Sequence, residues 1–377
     1  MAHFSPKETL MGRDIRLDMI RGLILVWMTV SHLGEPLRRY SYEGLGFVSV
    51  AEAFVFISGL VAGMVYTRMA ERLSYQALST RARHRARDIY GYHLSVYLLI
   101  LVLVNVIQAF SDSWGPRFPL FTESPLKAIG LGIVLLYQPT LMDILPMYCL
   151  YILFTPLIIY CFQKNRTGRV FLVSLSVWIV SQFGIWGWIH HEAILKVIPL
   201  NLGIFDFFAW QFLFIIGLWF GFKKQKGYSF PFLQKRHLII ICLLGSLFFF
   251  LFKHHLVLDN LFKLDLYPWL GRQSLGPLRL VNFFMIVYLV TVVSVRLQRF
   301  LEWRTLAFLG RHSLQVFTFH VLLVYLVLTF YYRLIHLGWV ITILFNLVII
   351  SALFIPAWIH SRYRKETKKL AKAATFE

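Results

Sequence analysis

The stretch "LDMIRGLILVWMTVSHLG", residues 17–34, decides how this chain is read. Its apolar letters are those of a helix that spans a bilayer, yet it carries Asp18, Arg21 and His32. Such groups are costly in hydrocarbon, so within a span they face the protein interior and mark a pathway or a site. On an α-helix Arg21 and His32 fall close to one face, roughly 16 Å apart along the axis, and Asp18 lies about one turn before Arg21. The spacing predicts a polar stripe running the height of the span. Each charge also has a plainer reading: Arg21 snorkelling to the interface, His32 resting at a helix end, and Asp18 serving only as a counter-charge to Arg21.

The rest of the chain agrees with a membrane setting. Of its 377 residues 58% are hydrophobic and only 15% are charged, against about 25% charged in a soluble domain. Runs such as "LSVYLLILVLVNVIQAF" (94–110) and "WVITILFNLVIISALFIPAWI" (339–359) have the length and composition of transmembrane helices. Apolar windows of about 20 residues place ten spans near 15–33, 46–67, 89–110, 141–162, 170–189, 202–222, 237–253, 278–297, 314–335 and 338–359. The run "LKAIGLGIVLLYQ" (126–138) is too short to cross and reads as a re-entrant or interfacial helix. No internal repeat and no soluble-domain segment is visible. The expectation is one all-α membrane domain over 1–377. The polar N-terminal tail, with Arg21 inside the first apolar run, does not read as a cleavable leader. Cys149, Cys161 and Cys242 have no metal-ligand spacing and read as packing residues; no metal site is expected.

The net charge of +20 would suit nucleic acid in a soluble protein, but here it is distributed by topology. Of the 38 Lys and Arg, 27 fall in one alternate set of connecting segments, ten in the other, and Arg21 lies inside the first span. The positive-inside rule then puts both termini in the cytoplasm. The cluster "RARHRAR" (81–87) reads as a topogenic basic loop at the lipid surface. The lipid bilayer, and not nucleic acid, is the expected partner of these charges.

A carboxylate partner for His32 is available in "SVAEAFVFISGLVAGMVYTR" (49–68), where Glu52 lies in the outer half of the second span. A carboxylate beside an imidazole can orient it and stabilise the imidazolium formed when it accepts a proton. Gly59 and Gly63 have the small-x-x-x-small spacing of close helix packing.

Together these residues bring a family into view. "RLDMIRGLILVWMTVSH" (16–32) followed by "AEAFVFISG" (51–59) resembles the start of the OpgC family, whose members succinylate osmoregulated periplasmic glucans. The Arg21-x10-His32 spacing also resembles the signature of the wider acyltransferase type 3 superfamily. "DILPMYCLYILFTP" (143–156), "AWQFLFIIG" (209–217), "GPLRLVNF" (276–283) and "LGRHSLQVFTFH" (309–320) are similar to later blocks, in order.

The resemblance implies a multi-pass protein of a bacterial inner membrane that moves a succinyl group from cytoplasmic succinyl-CoA, or another acyl-CoA, onto hydroxyls of a periplasmic glucan. Acyl-CoA is then a co-substrate, with no permanently bound cofactor. His32 is the expected general base, with Glu52 holding it and Asp18 completing the catalytic set. For the donor, Arg21 joins Arg311, His312 and Ser313 of the "GRHS" turn, which opens a span from the cytoplasmic side and offers free N–H groups to phosphate; a simple helix cap is the plainer reading. His320, on the same face as Ser313, is expected along the donor tunnel or as a core histidine. For acceptor or acyl group the candidates are Asp143, Trp210, Gln211, Trp269 and Arg279, with Trp114, Asp265 and Arg272 in the two long outer loops. Aromatic rings there can stack on sugars or belong to an interfacial belt. Arg279 is the expected partner of a donor carboxylate, which suits its bidentate fork. Three other readings stand beside succinyl transfer: O-acetylation of another polysaccharide or lipid-linked sugar, a glycan or dicarboxylate transporter, and a non-catalytic membrane partner of a glycan-synthesis complex.

Overall fold

The computed structural model describes residues 14–34, 37–184, 201–230, 235–256, 266–297, 302–335 and 338–373. The architecture is all-α, and every expected window contains a helix. In chain order these are α1 (Ile15–His32), α2 (Val50–Ala70), α3 (Tyr75–Val106), α4 (Ile144–Gln163), α5 (Thr167–Gln182), α6 (Phe207–Gln225), α7 (Arg236–Lys253), α8 (Pro277–Arg296), the short α9 (Arg304–Arg311), α10 (Ser313–Ile335), α11 (Trp339–Ala352) and α12 (Phe354–Ala373). Among the described residues seven helices are long and apolar enough to cross a membrane, α11 and α12 counting as one. Of the remaining windows, α1 carries Arg16, Asp18 and Arg21, α5 has 16 residues, and α6 ends in Lys223 and Lys224. The fifth window, 170–189, runs past the described residues at 185.

Local chemistry explains the boundaries. Asp14 caps α1 by accepting from the Arg16 N–H at 3.1 Å, and Asp206 caps α6 through the N–H groups of Phe208 and Ala209, the usual use of a short acidic side chain at a helix start. α3 begins well before its apolar window, because the Ser74 hydroxyl caps it at Ala77. The cluster 81–87 is therefore helical and not a loop: Ala82 and Ala86 turn inward while Arg81, Arg83 and Arg87 are exposed. Between α11 and α12 the helix breaks at Leu353, where Pro356 lacks the N–H that would bond to Ala352. The run 126–138 forms a helix over Pro125–Ile133 that lies on α3, with Tyr97 donating to the Ala128 carbonyl at 2.7 Å. Cys149 is buried, its thiol against the Ala86 carbonyl at 3.3 Å.

Two glycine seams set the core. On α2, Gly59 and Gly63 face the Phe214 and Leu218 carbonyls of α6, and Gly217 and Gly221 of α6 face the Phe56 and Leu60 carbonyls in return. Any side chain at these four positions would meet backbone, which is how small residues let membrane helices approach closely. α1 and α9 use the same device, Gly22 against Leu306 and Gly310 against Asp18. By contrast α7 sits at the rim, with Ile240, Ile241, Leu243, Leu244 and Leu247 exposed, the outward apolar surface expected towards lipid.

The helix ends sort into two faces that match the alternation read from the sequence. On one face Asp14 pairs with Lys224 at 2.9 Å, Glu71 with Lys226 at 3.0 Å, and Arg68 donates to Gln225. Burial, the largest single influence on Asp14, pushes its carboxyl up, but Lys224 and Arg16 outweigh it and bring it down to about 2. On the other face Glu43 meets Lys253 and Arg279 at 2.6 Å each.

Candidate active site

α1 and α10 lie side by side and run in the same direction, and the stripe foreseen on α1 is closed by a second polar stripe on α9 and α10. From one end to the other, Arg311 Nε stands 3.5 Å from Asp18 Oδ2, Arg21 donates to the Ser313 hydroxyl, and His320 is bonded to both Thr29 and His32. Parallel pairing requires an odd number of crossings between the two helices, which the seven helices α2–α8 supply.

The His32 end has a definite hydrogen-bond sense. The Thr29 hydroxyl donates to the Leu25 carbonyl at 2.9 Å, so its remaining capacity towards His320 Nδ1, 3.0 Å away, is as an acceptor. His320 Nδ1 then carries the proton, and neutral His320 has a bare Nε2. That nitrogen lies 3.0 Å from His32 Nδ1, which donates to it. Neutral His32 is thus held with Nδ1 protonated and Nε2 bare, the form required of a general base. The rings stack with centroids 5.2 Å apart and planes at 21°. Thr29 and His320 are fully buried, so the chain is fixed by packing as well as by hydrogen bonds.

His32 and His320 line a cavity of about 50 Å³ together with Met28, Tyr42, Glu43, Ser49, Asp143, Phe205, Arg272 and Phe317. Since one water needs roughly 10–15 Å³ of such space, the cavity admits a reacting carbonyl and a hydroxyl but not a whole sugar polymer. It lies at the end of the bundle where Glu43 meets Lys253 and Arg279.

Glu52 does not hold His32. Its carboxylate closes a capping box with Ser49, accepting from the backbone N–H at 2.9 Å and the hydroxyl at 2.5 Å, and it pairs with Arg279 Nε. The reason is local: Glu52 is the third residue of α2, where a carboxylate folds back on the cap. Arg279, 2% exposed, is bound by Glu52 and Glu43 and donates to the Leu270 carbonyl at 3.4 Å. It is a structural cation and not one at the disposal of a donor carboxylate. Glu43 sits at φ 53°, a conformation that costs a non-glycine residue of order 1–3 kcal/mol and is held by these cations. Burial alone would raise its carboxyl; Arg279 and Lys253 together hold it below its usual range.

The other expected residues fall into place as follows. Asp18 is buried at the opposite end of α1, roughly 21 Å along the axis from His32, so it belongs to the Arg311 pair and not to the histidine cluster. The "GRHS" turn is not an open helix start, because α9 leads into it directly. His312 bonds to His360 across 2.7 Å, and Ser313 and His312 are buried. Asp143 lines the cavity and accepts from the Ile204 N–H at 2.8 Å. Trp210 is wholly buried and donates to the Arg272 and Gln273 carbonyls. Gln211 exchanges hydrogen bonds with Ser174 of α5. Trp269 is 57% exposed, in the short turn Tyr267–Leu270. Trp114 is buried on Tyr325, with its N–H on Thr329, and is no sugar platform. Asp265 lies outside the described residues. Sequence reading missed Thr29, Tyr42, Glu43, Phe205 and His360. Thr29 was findable, being three residues from His32 on one helix face.

None of the curated proteins and none of the solved structures matches this chain. The family model described as OpgC protein matches residues 13–365, nearly the whole length and including every stripe and cavity residue above. The chain therefore belongs to the OpgC family, which implies an acyltransferase and supports a glucan succinyltransferase-like function.

Proposed function

We propose that this protein transfers a succinyl group from succinyl-CoA to hydroxyls of a periplasmic glucan across a bacterial inner membrane, with His32 as general base. The observation that carries the reading is the Leu25–Thr29–His320–His32 chain, which leaves His32 Nε2 bare at a cavity at the far end of α1 from Asp14. The excess of Lys and Arg on the face of Asp14, Glu71 and Lys226 supports a cytoplasmic location for that side. It makes the α1–α10 seam the route from a cytoplasmic donor to a periplasmic acceptor. The Arg21–His32 spacing supports placement in the acyltransferase type 3 superfamily.

In this mechanism a sugar hydroxyl gives its proton to His32 Nε2 as its oxygen attacks the thioester carbonyl. The C–S bond breaks, the succinyl ester forms, and the departing CoA sulfur takes up the proton that His32 releases. General-base assistance of this kind contributes roughly 10²–10⁴-fold. His320 keeps the imidazole in the productive tautomer, while Arg21 and Arg311, held by Ser313 and Asp18 at the inner end of the seam, attract the anionic nucleotide. No group is held permanently; succinyl-CoA enters and CoA leaves with each turnover.

The test is reconstitution in sealed vesicles of known protein orientation, with succinyl-CoA on one side and neutral glucan on the other. Succinylated glucan, with one CoA thiol released per ester on the donor side, is expected only when succinyl-CoA faces the basic surface. Ester formation with the donor on the cavity side alone, or thiol release without ester, would contradict the reading.

A further inference from the structure

If succinyl transfer is correct, the cavity needs a cation for the free carboxylate of the acyl chain, and the residue chosen from sequence, Arg279, is already bound by two glutamates. We infer that Arg272 reads the acyl carboxylate and sets the donor preference of this enzyme. This rests on the function proposed above and adds the residue that selects the acyl group.

Arg272 lines the cavity that contains His32 and His320. It makes no ion pair with a carboxylate among the described residues: one Nη donates to the Tyr42 hydroxyl. The guanidinium lies 5.5 Å from the Tyr42 ring centroid and 5.2 Å from that of Phe205. Five N–H donors less one leave enough of the planar fork for a two-point carboxylate contact. The two other charged residues of the wall are acidic: Glu43 is engaged with Arg279 and Lys253, and Asp143 accepts from the Ile204 N–H and stands within electrostatic reach of Arg272 without pairing with it.

The loop that carries Arg272 is fastened at four successive carbonyls. Trp210 donates to Arg272 at 3.2 Å and Gln273 at 3.0 Å, Gln182 to Ser274 at 2.8 Å, and Trp178 to Leu275 at 3.0 Å. The Asp206 N–H adds a second bond to Gln273 at 3.1 Å. A mobile surface arginine needs no such anchorage; one that must hold its fork at a fixed distance from a reacting centre does.

The experiment compares succinyl-CoA with butyryl-CoA, which has the same chain length and no carboxylate, using the purified full-length protein and neutral glucan. Wild type is expected to prefer succinyl-CoA. Arg272→Gln is expected to lower kcat/KM for succinyl-CoA by roughly 10- to 100-fold, the range for losing hydrogen bonds to a charged group, while butyryl transfer is unchanged or rises. Arg272→Lys should recover part of the preference. Retained butyryl turnover shows that the variant is folded. An Arg272→Gln enzyme that keeps its succinyl preference, or loses both donors equally, overturns the role of Arg272 and leaves succinyl transfer standing. A wild type that uses butyryl-CoA but not succinyl-CoA overturns both.

Discussion

Replacing His320 by Phe removes one acceptor from His32 while keeping a ring of similar size in the same packed site. His32 Nδ1 then faces an apolar edge in place of the Nε2 that now stands 3.0 Å away. A buried donor left without its partner costs about 1–3 kcal/mol. The imidazole escapes that cost by turning or by moving its proton to Nε2, and either change removes the bare nitrogen from the cavity. At 1.36 kcal/mol per factor of ten the loss corresponds to roughly 5- to 150-fold in kcat. KM for the donor should change little, because Arg21, Arg311 and Ser313 lie at the other end of the seam. The assay is steady-state thiol release with purified protein, run in parallel with His320→Gln, whose side-chain carbonyl can accept from His32 and whose amide can donate to Thr29. Partial recovery in His320→Gln separates an orienting hydrogen bond from mere filling of space. A His320→Phe enzyme with at least half the wild-type kcat would refute the tautomer argument.

Two further outcomes follow from the outer ion cluster. Glu52→Ala strips the capping box and leaves Arg279 with Glu43 and the Leu270 carbonyl, and breaking a buried pair in this way costs about 3–5 kcal/mol. The thermal midpoint and the yield of folded protein should fall, yet kcat per folded molecule should stay within a few-fold of wild type; a fully stable but inactive Glu52→Ala protein would return Glu52 to catalysis. Glu43, held below its ordinary range of 4.5, binds its proton more weakly folded than unfolded. Its contribution to stability is therefore present above about pH 4.5 and lost as pH falls through the lower folded value. Thermal midpoints measured from pH 7 to pH 3 should show an acid-side decline that is smaller in Glu43→Gln, and identical declines would contradict the assignment.

The fold was legible because bilayer-spanning runs have one dominant signature, and the glycine spacing of α2 announced its close contact. Less was legible at the site. The stripe on α1 follows from helical geometry, so Asp18, Arg21 and His32 could be placed in order along it. Which helix faces that stripe is a matter of packing between residues some 290 positions apart, and only the structure brings Ser313 and His320 to Arg21 and His32. Glu52 misled for a physical reason: proximity in the chain to His32 suggested a pair, whereas its place in the first turn of α2 committed it to Ser49 and Arg279. The exchange of Arg279 for Arg272 has the same origin. Both arginines lie near the outer end of α8, and nothing in their spacing reveals that one is enclosed by two glutamates.

Mass spectrometry of periplasmic glucans from a host lacking its own modifying enzyme, expressing wild-type or His32→Ala protein at matched membrane levels, tests the central claim most directly. Succinyl mass increments with wild type and none with His32→Ala are predicted. Equal increments from both proteins would remove His32 as the base, and their absence from both would contradict succinyl transfer to glucan.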